Sequence, residues 1–372
     1  MMGASWLWWL AVGFVGVQFL TLLSNLAAFP VLGTAQEGDE GAFRPSFPPK
    51  VSILIPARNE EDTLPVTLPR ILAQRDVHEV LVLDDNSEDR TGEVLGLFAA
   101  QNPKLRALRG EPLPEGWGGK NWACEQLADA ASGTLLIFTD ADVLWEGGAL
   151  ERLLEFQQSQ KAAFVSVWPR QVTPTLKERL YVPIVDLILL GWLPYVGVKR
   201  LPFGVFSAGN GQLMLWTRRA YRRVGGHGAF KGEVLEDVRM GQAAKRQGLR
   251  VALALGGEVL NTRMYKDEGE ILEGFGKNIL AAHGNSRVFL AFSLVLNTLA
   301  YTLSWVFALV DSLWLVPATL GVFQRGLTAY KTHRTPLEAF LQPLVAYPLW
   351  RVGARALARR GRYVWRGREY ER

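Results

Sequence analysis

The chain opens with a stretch of apolar residues that no charge interrupts. Residues 5–33 hold no charged side chain, and Trp6, Trp8 and Trp9 crowd its beginning. A stretch of this length can span a bilayer as a helix, with aromatic side chains at the interface. We therefore predict a transmembrane helix within residues 1–36. A secretory signal peptide is the competing interpretation, although the stretch is longer than a usual signal-peptide core and no Lys or Arg precedes it.

In the middle of the chain, short apolar runs alternate with amphipathic segments. The predicted strands are 51–56, 77–83, 105–108, 135–138, 163–168, 213–216 and 249–255, and the predicted helices are 63–74, 91–101, 120–131, 151–159, 218–224, 235–247 and 270–282. Strands that alternate with helices in this way predict an α/β fold with a mostly parallel, Rossmann-like sheet and flanking helices.

Two further apolar regions are less regular. Residues 176–206 are apolar, interrupted by prolines and end near basic residues, which predicts an interfacial helix or a membrane-facing lid. A buried core helix is the alternative. Residues 286–352 predict C-terminal transmembrane or interfacial helices, so that membrane helices flank the α/β region at both ends. Within them, 288–323 exceeds one span and barely allows two, and 339–350 forms either a third span or an interfacial helix.

The positive charge of the chain is concentrated at its end. The net charge is +5, and residues 351–372 hold eight Arg against two Glu, so the remainder is close to neutral. This distribution predicts a basic cytoplasmic tail at 353–372 that faces anionic lipids. It does not indicate a domain that binds nucleic acid.

Acidic residues follow two of the predicted strands. Asp84 and Asp85 end one strand, and Asp140 and Asp142 follow the strand at 135–138. Because parallel strands present their carboxyl ends to one crevice, both pairs should lie at a ligand-binding edge. Carboxylates at 140 and 142 suit Mg²⁺ or Mn²⁺, which usually bridges to phosphate oxygens. Taken alone, the D-x-D spacing also fits an Asp-rich turn or a helix cap.

A third acidic pair, Glu236 and Asp237, opens a later helix beyond a Gly-rich loop at 225–230. A carboxylate there could take a proton from an acceptor hydroxyl while an ion on the D-x-D stabilises a leaving diphosphate. His227 in the loop either contacts substrate or simply occupies a mobile loop.

Other enzyme classes lack their signals. No G-x-G-x-x-G follows the first strand, and the glycines at 116–119 lack Walker spacing, which disfavours a dinucleotide-binding oxidoreductase and a P-loop NTPase. Cys124 is the single cysteine, so a disulfide within the chain is excluded, and we expect it to pack inside a helix.

Four segments in combination resemble the family 2 inverting glycosyltransferases, which have the GT-A fold. They are Val51–Glu61, Val82–Ser87, Phe138–Asp142 and Glu236-Asp237. The resemblance implies a cytoplasmic GT-A domain over residues 48–285, a nucleoside-diphosphate sugar as donor and Mg²⁺ or Mn²⁺ as cofactor.

The same resemblance implies roles for individual residues. Asp85 contacts the nucleobase, Asp142 with Asp140 binds the metal and the diphosphate, and Asp237 is the catalytic base with Glu236 beside it. The expected nucleotide-sugar-binding residues are Pro56, Ala57, Arg58, Glu60, Asp84, Asp85, Lys120 and Asp140. The expected acceptor-side residues are His227, Arg263, Tyr265 and Lys277.

Three of these assignments have alternatives. Lys120 lies in a Gly-rich turn ahead of a helix, where it can approach an anion, or it is an exposed lysine at a helix start. Arg58 and Arg263 either bind diphosphate or are surface charges.

A narrower similarity concerns the acceptor. Gly116–Ala123, Arg263–Tyr265, Gly274–Asn278 and Trp365–Arg368 are similar to membrane enzymes of the carotenoid- and hopanoid-pathway glycosyltransferase type. That similarity implies a multi-pass protein of the cytoplasmic membrane that glycosylates a lipid. The Q-x-x-R-W motif of processive polysaccharide synthases is absent, which favours transfer of a single sugar. A processive synthase and a non-catalytic membrane scaffold are the alternatives; the carboxylate set argues against the scaffold.

Overall fold

The structure is a computed structural model that describes residues 6–33, 49–358, 363–365 and 368–370, the last two ranges by their backbone alone. The helices are α1 Trp6–Ala28, α2 Leu64–Leu72, α3 Thr91–Gln101, α4 Gly119–Ala130, α5 Ala149–Ser159, α6 Leu176–Tyr181, α7 Ile184–Trp192, α8 Tyr195–Arg200, α9 Arg218–Val224, α10 Glu236–Arg246, α11 Glu268–Ala282, α12 Arg287–Thr298, α13 Ser304–Phe307, α14 Leu315–Lys331 and α15 Ala346–Ala358. The strands are β1 Val51–Ala57, β2 Val77–Asp84, β3 Leu105–Arg109, β4 Leu135–Thr139, β5 Val143–Trp145, β6 Phe164–Trp168, β7 Arg170–Gln171, β8 Leu213–Thr217, β9 Val251–Leu255, β10 Leu260–Thr262, β11 Tyr363–Trp365 and β12 Arg368–Tyr370. Most of the basic tail predicted at 353–372 lies outside the described side chains.

The chain divides into two compact units. The sheet unit comprises Phe29–Arg170 and Val196–Arg263, and the helical unit comprises Met1–Ala28, Gln171–Tyr195 and Met264–Arg372. The sheet unit is therefore discontinuous in sequence. Residues 264–285, which the sequence assigned to the GT-A domain, belong to the helical unit.

The sheet unit is built on a seven-stranded sheet of order β3-β2-β1-β4-β8-β6-β9. The pairs β1–β2, β1–β4, β2–β3 and β6–β9 are parallel, whereas β8 runs antiparallel to both β4 and β6. All five residues of β4 are buried, as expected for a strand covered on both faces. The mostly parallel α/β sheet predicted from the sequence is thus confirmed, and the reversed strand β8 is an addition to it.

Helices cover both faces of this sheet. Alternate residues of β1 enter different cores: Ile53 and Ile55 pack with residues of α2, α3 and α5, whereas Leu54 packs with residues of α4, α9 and α10. This division follows from the two-residue period of a strand. Because side chains within the strands pack in these two cores, the strand ends and the loops after them form the site.

A small second sheet was not predicted. Strands β5, β10 and β7 form it in the order β5-β10-β7, and β5 pairs antiparallel with β10 so that Val143 lies opposite Thr262. Strands of three residues offer too few positions for a periodic signal, which explains the omission. The sheet matters because β5 begins immediately after Asp142.

Two helical segments of the helical unit are long and apolar enough to cross a membrane. They are Trp6–Ala28, with 23 residues, and Arg287–Phe307, with 21 residues. The second comprises α12, a π-helical turn and α13. The alternative of a third span over residues 339–350 is not formed. That segment divides between a 3-10 helix and α15, whose 13 residues rise only about 20 Å, less than a hydrocarbon core of about 30 Å.

Polar contacts tie α1 to the rest of the helical unit. The side-chain amide of Asn25 donates to the carbonyl oxygens of Leu190 and Leu193, each at 2.9 Å, and its oxygen accepts from the Tyr195 N–H at 2.8 Å. Because Asn25 is fully buried, losing these partners would leave polar atoms unsatisfied.

Helix α7 combines both interpretations of the 176–206 region. Asp186 and Leu190 on one face are buried, and Asp186 pairs with Arg334 at 3.2 Å. Ile188 and Trp192 on the other face are exposed. One face of α7 therefore packs as a core helix would, and the opposite face is an exposed apolar surface.

Candidate active site

The loops after β1 and β2 are bound to each other. The Asp85 N–H donates to the Ala57 carbonyl oxygen at 2.8 Å, and the Arg58 guanidinium donates to the carbonyl oxygens of Asp85 and Asn86 at 2.8 and 2.6 Å. Arg58 also pairs with Glu88 at 2.8 Å. In this structure Arg58 thus fixes the loop that carries Asp85.

The remaining predicted residues of these loops act through backbone contacts. Asp84 accepts a hydrogen bond from the Ser87 N–H at 2.9 Å, and the Glu60 N–H donates to the Thr91 hydroxyl at 2.8 Å. Pro56 forms part of β1, which Ala57 ends. These contacts shape one rigid loop pair at the carboxyl ends of β1 and β2, where open α/β sheets bind ligands.

Lys120 connects the D-x-D to the beginning of β8. Its ammonium lies 2.5 Å from Asp140 Oδ1 and donates to the Gly211 carbonyl oxygen at 3.1 Å. The Asp140 N–H donates to the Gln212 carbonyl oxygen at 3.1 Å, which draws the same two segments together. Lys120 is therefore not an exposed helix-start residue, and it faces the acidic end of β4.

The candidate base is held by two backbone donors. Asp237 Oδ2 accepts from the Gly211 N–H and Oδ1 accepts from the Val238 N–H, both at 2.7 Å. Asp237 lies in the first turn of α10, where the helix dipole favours a negative charge. The two donors orient both carboxylate oxygens.

The Gly209–Gln212 turn is the part of the site that the sequence interpretation missed. Gly211 bonds to Lys120 through its oxygen and to Asp237 through its nitrogen. Gly209 packs against the backbone of Asp237 so closely that a Cβ at this position would overlap the Asp237 carbonyl oxygen. The G-x-G spacing by itself indicates only a turn, because the partners of these glycines lie far away in sequence.

Electrostatics fix the charge of Lys120. Burial works to lower the pKa of its ammonium, but Asp140 and then Glu236 outweigh burial and hold the pKa above its ordinary value. The side chain is thus a permanent cation among carboxylates. It is suited to bind an additional anion when one enters.

Asn121, next to Lys120, fixes the loop ahead of α10. Its buried side-chain amide donates to the carbonyl oxygens of Phe230, Lys231 and Glu233 at 3.0, 3.2 and 3.3 Å. Two adjacent residues of α4 therefore serve the site in different ways. Lys120 provides charge, and Asn121 positions the chain that leads to Asp237.

His227 is anchored rather than mobile. It is 1% exposed, its ring packs edge-on against Phe138, and its Nδ1 lies 2.8 Å from the Tyr221 hydroxyl. That hydroxyl donates to Glu125 at 3.0 Å. Burial, and then the charge of Lys120, lower the pKa of His227 to about 3, so the ring is neutral near pH 7. The expected flexible loop is held here, and His227 supports it from inside.

Asp142 and Arg263 occupy neighbouring register positions. Val143 pairs with Thr262, so continuing the antiparallel register sets Arg263 opposite Asp142. Both side chains are at least partly exposed. This arrangement favours the diphosphate side for Arg263 over a role as an unrelated surface charge.

The donor set at the D-x-D fits an ion completed by substrate. Within the described ranges, no group of three or more His, Cys, Asp or Glu side chains could hold a metal ion. Asp140 and Asp142 supply carboxylate oxygens, and Asp140 also contacts Lys120. Mg²⁺ typically binds one or two carboxylates plus substrate phosphates, so two carboxylates suffice only when a diphosphate supplies further ligands.

Two predicted acceptor-side residues lie in the helical unit. Tyr265 is buried against Phe275, and Lys277 is half-buried in α11. Cys124 is buried in α4, as expected, and burial raises the pKa of its thiol, which argues against a nucleophile.

The family model of "Glycosyl transferase family 2" matches residues 52–205. This part of the chain is therefore similar to glycosyl transferase family 2 domains. The match covers β1, β2, β4 and the D-x-D, and it ends before the Gly209–Gln212 turn and α10.

Curated relatives point to the same family. 4,4'-Diaponeurosporenoate glycosyltransferase of Staphylococcus haemolyticus is 28% identical over 247 residues, which are 64% of this chain and 63% of the relative. The enzyme of the same name from Staphylococcus aureus is 26% identical over 272 residues, which are 71% of this chain and 67% of the relative. This chain thus spans a little under two thirds of the first relative and about two thirds of the second.

A solved structure shares the fold. A mannosyltransferase from Pyrobaculum calidifontis, in complex with GDP-Man and Mn²⁺, matches with a TM-score of 0.55 at 17% identity, covering 94% of this chain and 99% of the other. At this identity the likeness concerns the fold alone. The fold of the family 2 domain is GT-A, as the sequence resemblance implied.

Proposed function

We propose that the protein is a membrane-associated inverting glycosyltransferase that transfers one sugar from a nucleoside-diphosphate sugar to a lipid. The donor is of the UDP-glucose type, and the acceptor offers a hydroxyl or a carboxyl group, as in a carotenoid, a hopanoid or a glycerolipid. The observation that carries the proposal is the connected set of Lys120, Asp140, Gly211 and Asp237. It combines a fixed cation for a diphosphate with an oriented carboxylate for proton transfer.

The donor would bind along the carboxyl edge of the central sheet. The loop around Asp85, which Arg58 holds, would contact the nucleobase. The Lys120 ammonium stays charged, so it would bind phosphate oxygens of the donor in place of Asp140. Mg²⁺ or Mn²⁺ held by Asp140 and Asp142 would offset the charge that develops on the leaving diphosphate.

Asp237 would accept the proton of an acceptor hydroxyl. As that proton leaves, the acceptor oxygen forms a bond to the anomeric carbon, and the bond from this carbon to the diphosphate breaks with its electron pair on the diphosphate. One displacement of this kind inverts the anomeric centre. Glu236, the buried neighbour of Asp237, adds negative charge that Lys120 partly offsets.

Several features support membrane association and a lipid acceptor. The segments 6–28 and 287–307 have the length and composition of spans, and the contacts of Asn25 favour a retained α1 over a cleaved signal peptide. The curated relatives carry names of a carotenoid-pathway enzyme. Because nucleotide sugars are cytoplasmic, the sheet unit would face the cytoplasm in a multi-pass protein of the cytoplasmic membrane. Keeping the basic tail inside as well would require an even number of spans after the sheet unit, of which residues 287–307 supply one.

The product of a transfer reaction tests this function. Purified full-length protein, labelled UDP-glucose, Mn²⁺ and a membrane lipid extract should yield a labelled lipid that carries one sugar. A labelled polymer would instead indicate a processive synthase, and absence of any labelled product with all common nucleotide sugars would favour a non-catalytic scaffold. Inverted stereochemistry of the product, read by NMR of the anomeric proton, completes the test.

Replacing Asp142 by alanine tests the metal. We expect the affinity for UDP in the presence of Mn²⁺ to fall by at least on the order of tenfold, because a carboxylate ligand is lost. Isothermal titration of UDP, once with Mn²⁺ and once with EDTA, measures the effect. The difference in affinity between the variant and the wild type should vanish in EDTA. Asp129→Ala, an exposed carboxylate on α4, is the matched control. Equal titration of the Asp142 variant and the wild type with Mn²⁺ would remove Asp142 from the metal site.

A further inference from the structure

A short segment at the end of α8 exposes apolar side chains beside basic ones. In residues 199–205, Phe203 is 60% exposed and Val205 is 70% exposed, and Leu201 is also exposed. Lys199 and Arg200, directly before them, are exposed as well. Apolar side chains in water are unfavourable, and three of them at alternate positions of a fixed backbone mark a surface that binds something.

The backbone of this exposed segment is fixed. The Lys245 ammonium donates to the Val198 carbonyl oxygen, and Gly204 lies against Arg246 and the Gln242 carbonyl oxygen, so closely that an added Cβ would meet them at 3.3 Å. Both contacts are with the last turns of α10. The exposure of Phe203 and Val205 therefore does not come from a loose chain that could fold back.

The following residues continue along the same helix toward Asp237. Gly241 packs against the Ala208 carbonyl oxygen, Gly209 packs against the Asp237 backbone, and the Gly211 N–H donates to the Asp237 carboxylate. One strip of chain thus connects the exposed segment with the candidate base. A partner of residues 199–205 would therefore lie beside the strip of chain that packs along α10.

We propose that residues 199–205 dock the sheet unit on an anionic bilayer surface. Phe203 and Val205 enter the boundary between head groups and acyl chains, and Lys199 and Arg200 lie against phospholipid phosphates. Charge complementarity favours this occupant, because basic residues next to apolar ones suit an anionic lipid surface. A consequence, which rests on the proposed function, is that docking holds Asp237 at the depth where an acceptor hydroxyl emerges.

The single buried cysteine permits a direct test. Phe203→Cys can be labelled selectively with an environment-sensitive fluorophore, because Cys124 is inaccessible. The matched control is Leu97→Cys on α3 of the same unit, which is 66% exposed in the native chain. Each labelled protein is reconstituted as one copy per nanodisc, in phosphatidylcholine alone or with phosphatidylglycerol.

We expect the label at 203 to shift to the blue and to be quenched several-fold more by spin-labelled lipid than the label at 97, more strongly with phosphatidylglycerol. A label at 203 as water-exposed as that at 97 would overturn the proposal. So would a shift that needs a second copy per disc, or one that appears only when an acceptor lipid is added. None of these readouts depends on catalysis, so they stand even if the wild type transfers no sugar.

A functional arm tests the link to α10. Phe203→Asp with Val205→Asp should lower transfer to a bilayer-embedded acceptor on the order of tenfold, because charged residues oppose insertion. Affinity of this double variant for UDP should be unchanged. Phe203→Leu, which keeps an apolar side chain, should transfer at the wild-type rate. The control is Leu97→Asp. If the double variant loses affinity for UDP to the same extent as it loses transfer, its fold is damaged and the result contradicts a docking role.

Discussion

Transfer to a hydroxyl-bearing lipid should fall by about 10²- to 10⁴-fold when Asp237 is replaced by asparagine. The carboxylate is the proton acceptor, and an amide cannot take the proton. Asparagine keeps the size of the side chain and one oxygen that can accept from Gly211 or Val238. Affinity for UDP with Mn²⁺ should therefore stay close to that of the wild type. Single-turnover transfer and nucleotide titration, measured on the same preparation, separate the two effects.

Glu233→Gln is the matched control for this substitution. Glu233 lies just ahead of α10 and pairs only weakly with Arg239, at 3.8 Å. Loss of the Glu233 charge should leave transfer unchanged. Undiminished transfer in the Asp237 variant would remove the residue from its role as base. The acceptor in this assay must carry a hydroxyl, because a carboxyl acceptor with a pKa of about 4 is already ionised at neutral pH and has no proton to give.

Gly209→Ala should also abolish most transfer, on the order of 10²-fold, although Gly209 touches neither donor nor acceptor in the proposed reaction. The added methyl group would overlap the Asp237 carbonyl oxygen, a backbone atom that cannot rotate away. The first turn of α10 must then shift, and Asp237 with it. We expect a loss of unfolding free energy of about 1–3 kcal/mol as well, as for other overpacked positions.

The control for Gly209→Ala is Gly96→Ala in α3. An added Cβ at Gly96 meets nothing within 4 Å, and alanine is about 1 kcal/mol better than glycine inside a helix. That variant should be equally active and at least as stable. Thermal unfolding and transfer rates are compared for both. If Gly209→Ala unfolds at the wild-type temperature and transfers at the wild-type rate, the Gly209–Gln212 turn does not set the position of the base.

The sequence predicts well which residues lie at the strand ends, but it predicts poorly the contacts between those ends and other elements. Buried runs such as Leu135–Thr139 have a local signal, and an acidic residue that follows one is placed by the rule for carboxyl ends of parallel strands. Asp85, Asp140 and Asp142 could therefore be assigned to one edge from the sequence alone. The contact between Lys120 and Asp140 could not, because it joins a helix start to a strand end and depends on how α4 packs.

The missed features share a physical cause. Gly211 matters through its backbone N–H and carbonyl oxygen, and every residue has these groups. Asn121 matters through three carbonyl oxygens more than a hundred residues away. Arg58 had a visible charge, but its contacts with the carbonyl oxygens of a neighbouring loop could not be predicted from that charge. Backbone partners leave no trace in composition or spacing.

The buried groups around the site have a consequence for the pH profile. Lys120 stays protonated because its pKa is raised, and burial raises the pKa of Cys124 and of Tyr221, so both stay neutral. His227, with a pKa of about 3, stays unprotonated. Between about pH 5 and pH 9 none of these four groups changes charge. The electrostatic background of Asp237 from these groups is therefore constant over that range, and a pH dependence of the rate would report on the reacting groups themselves.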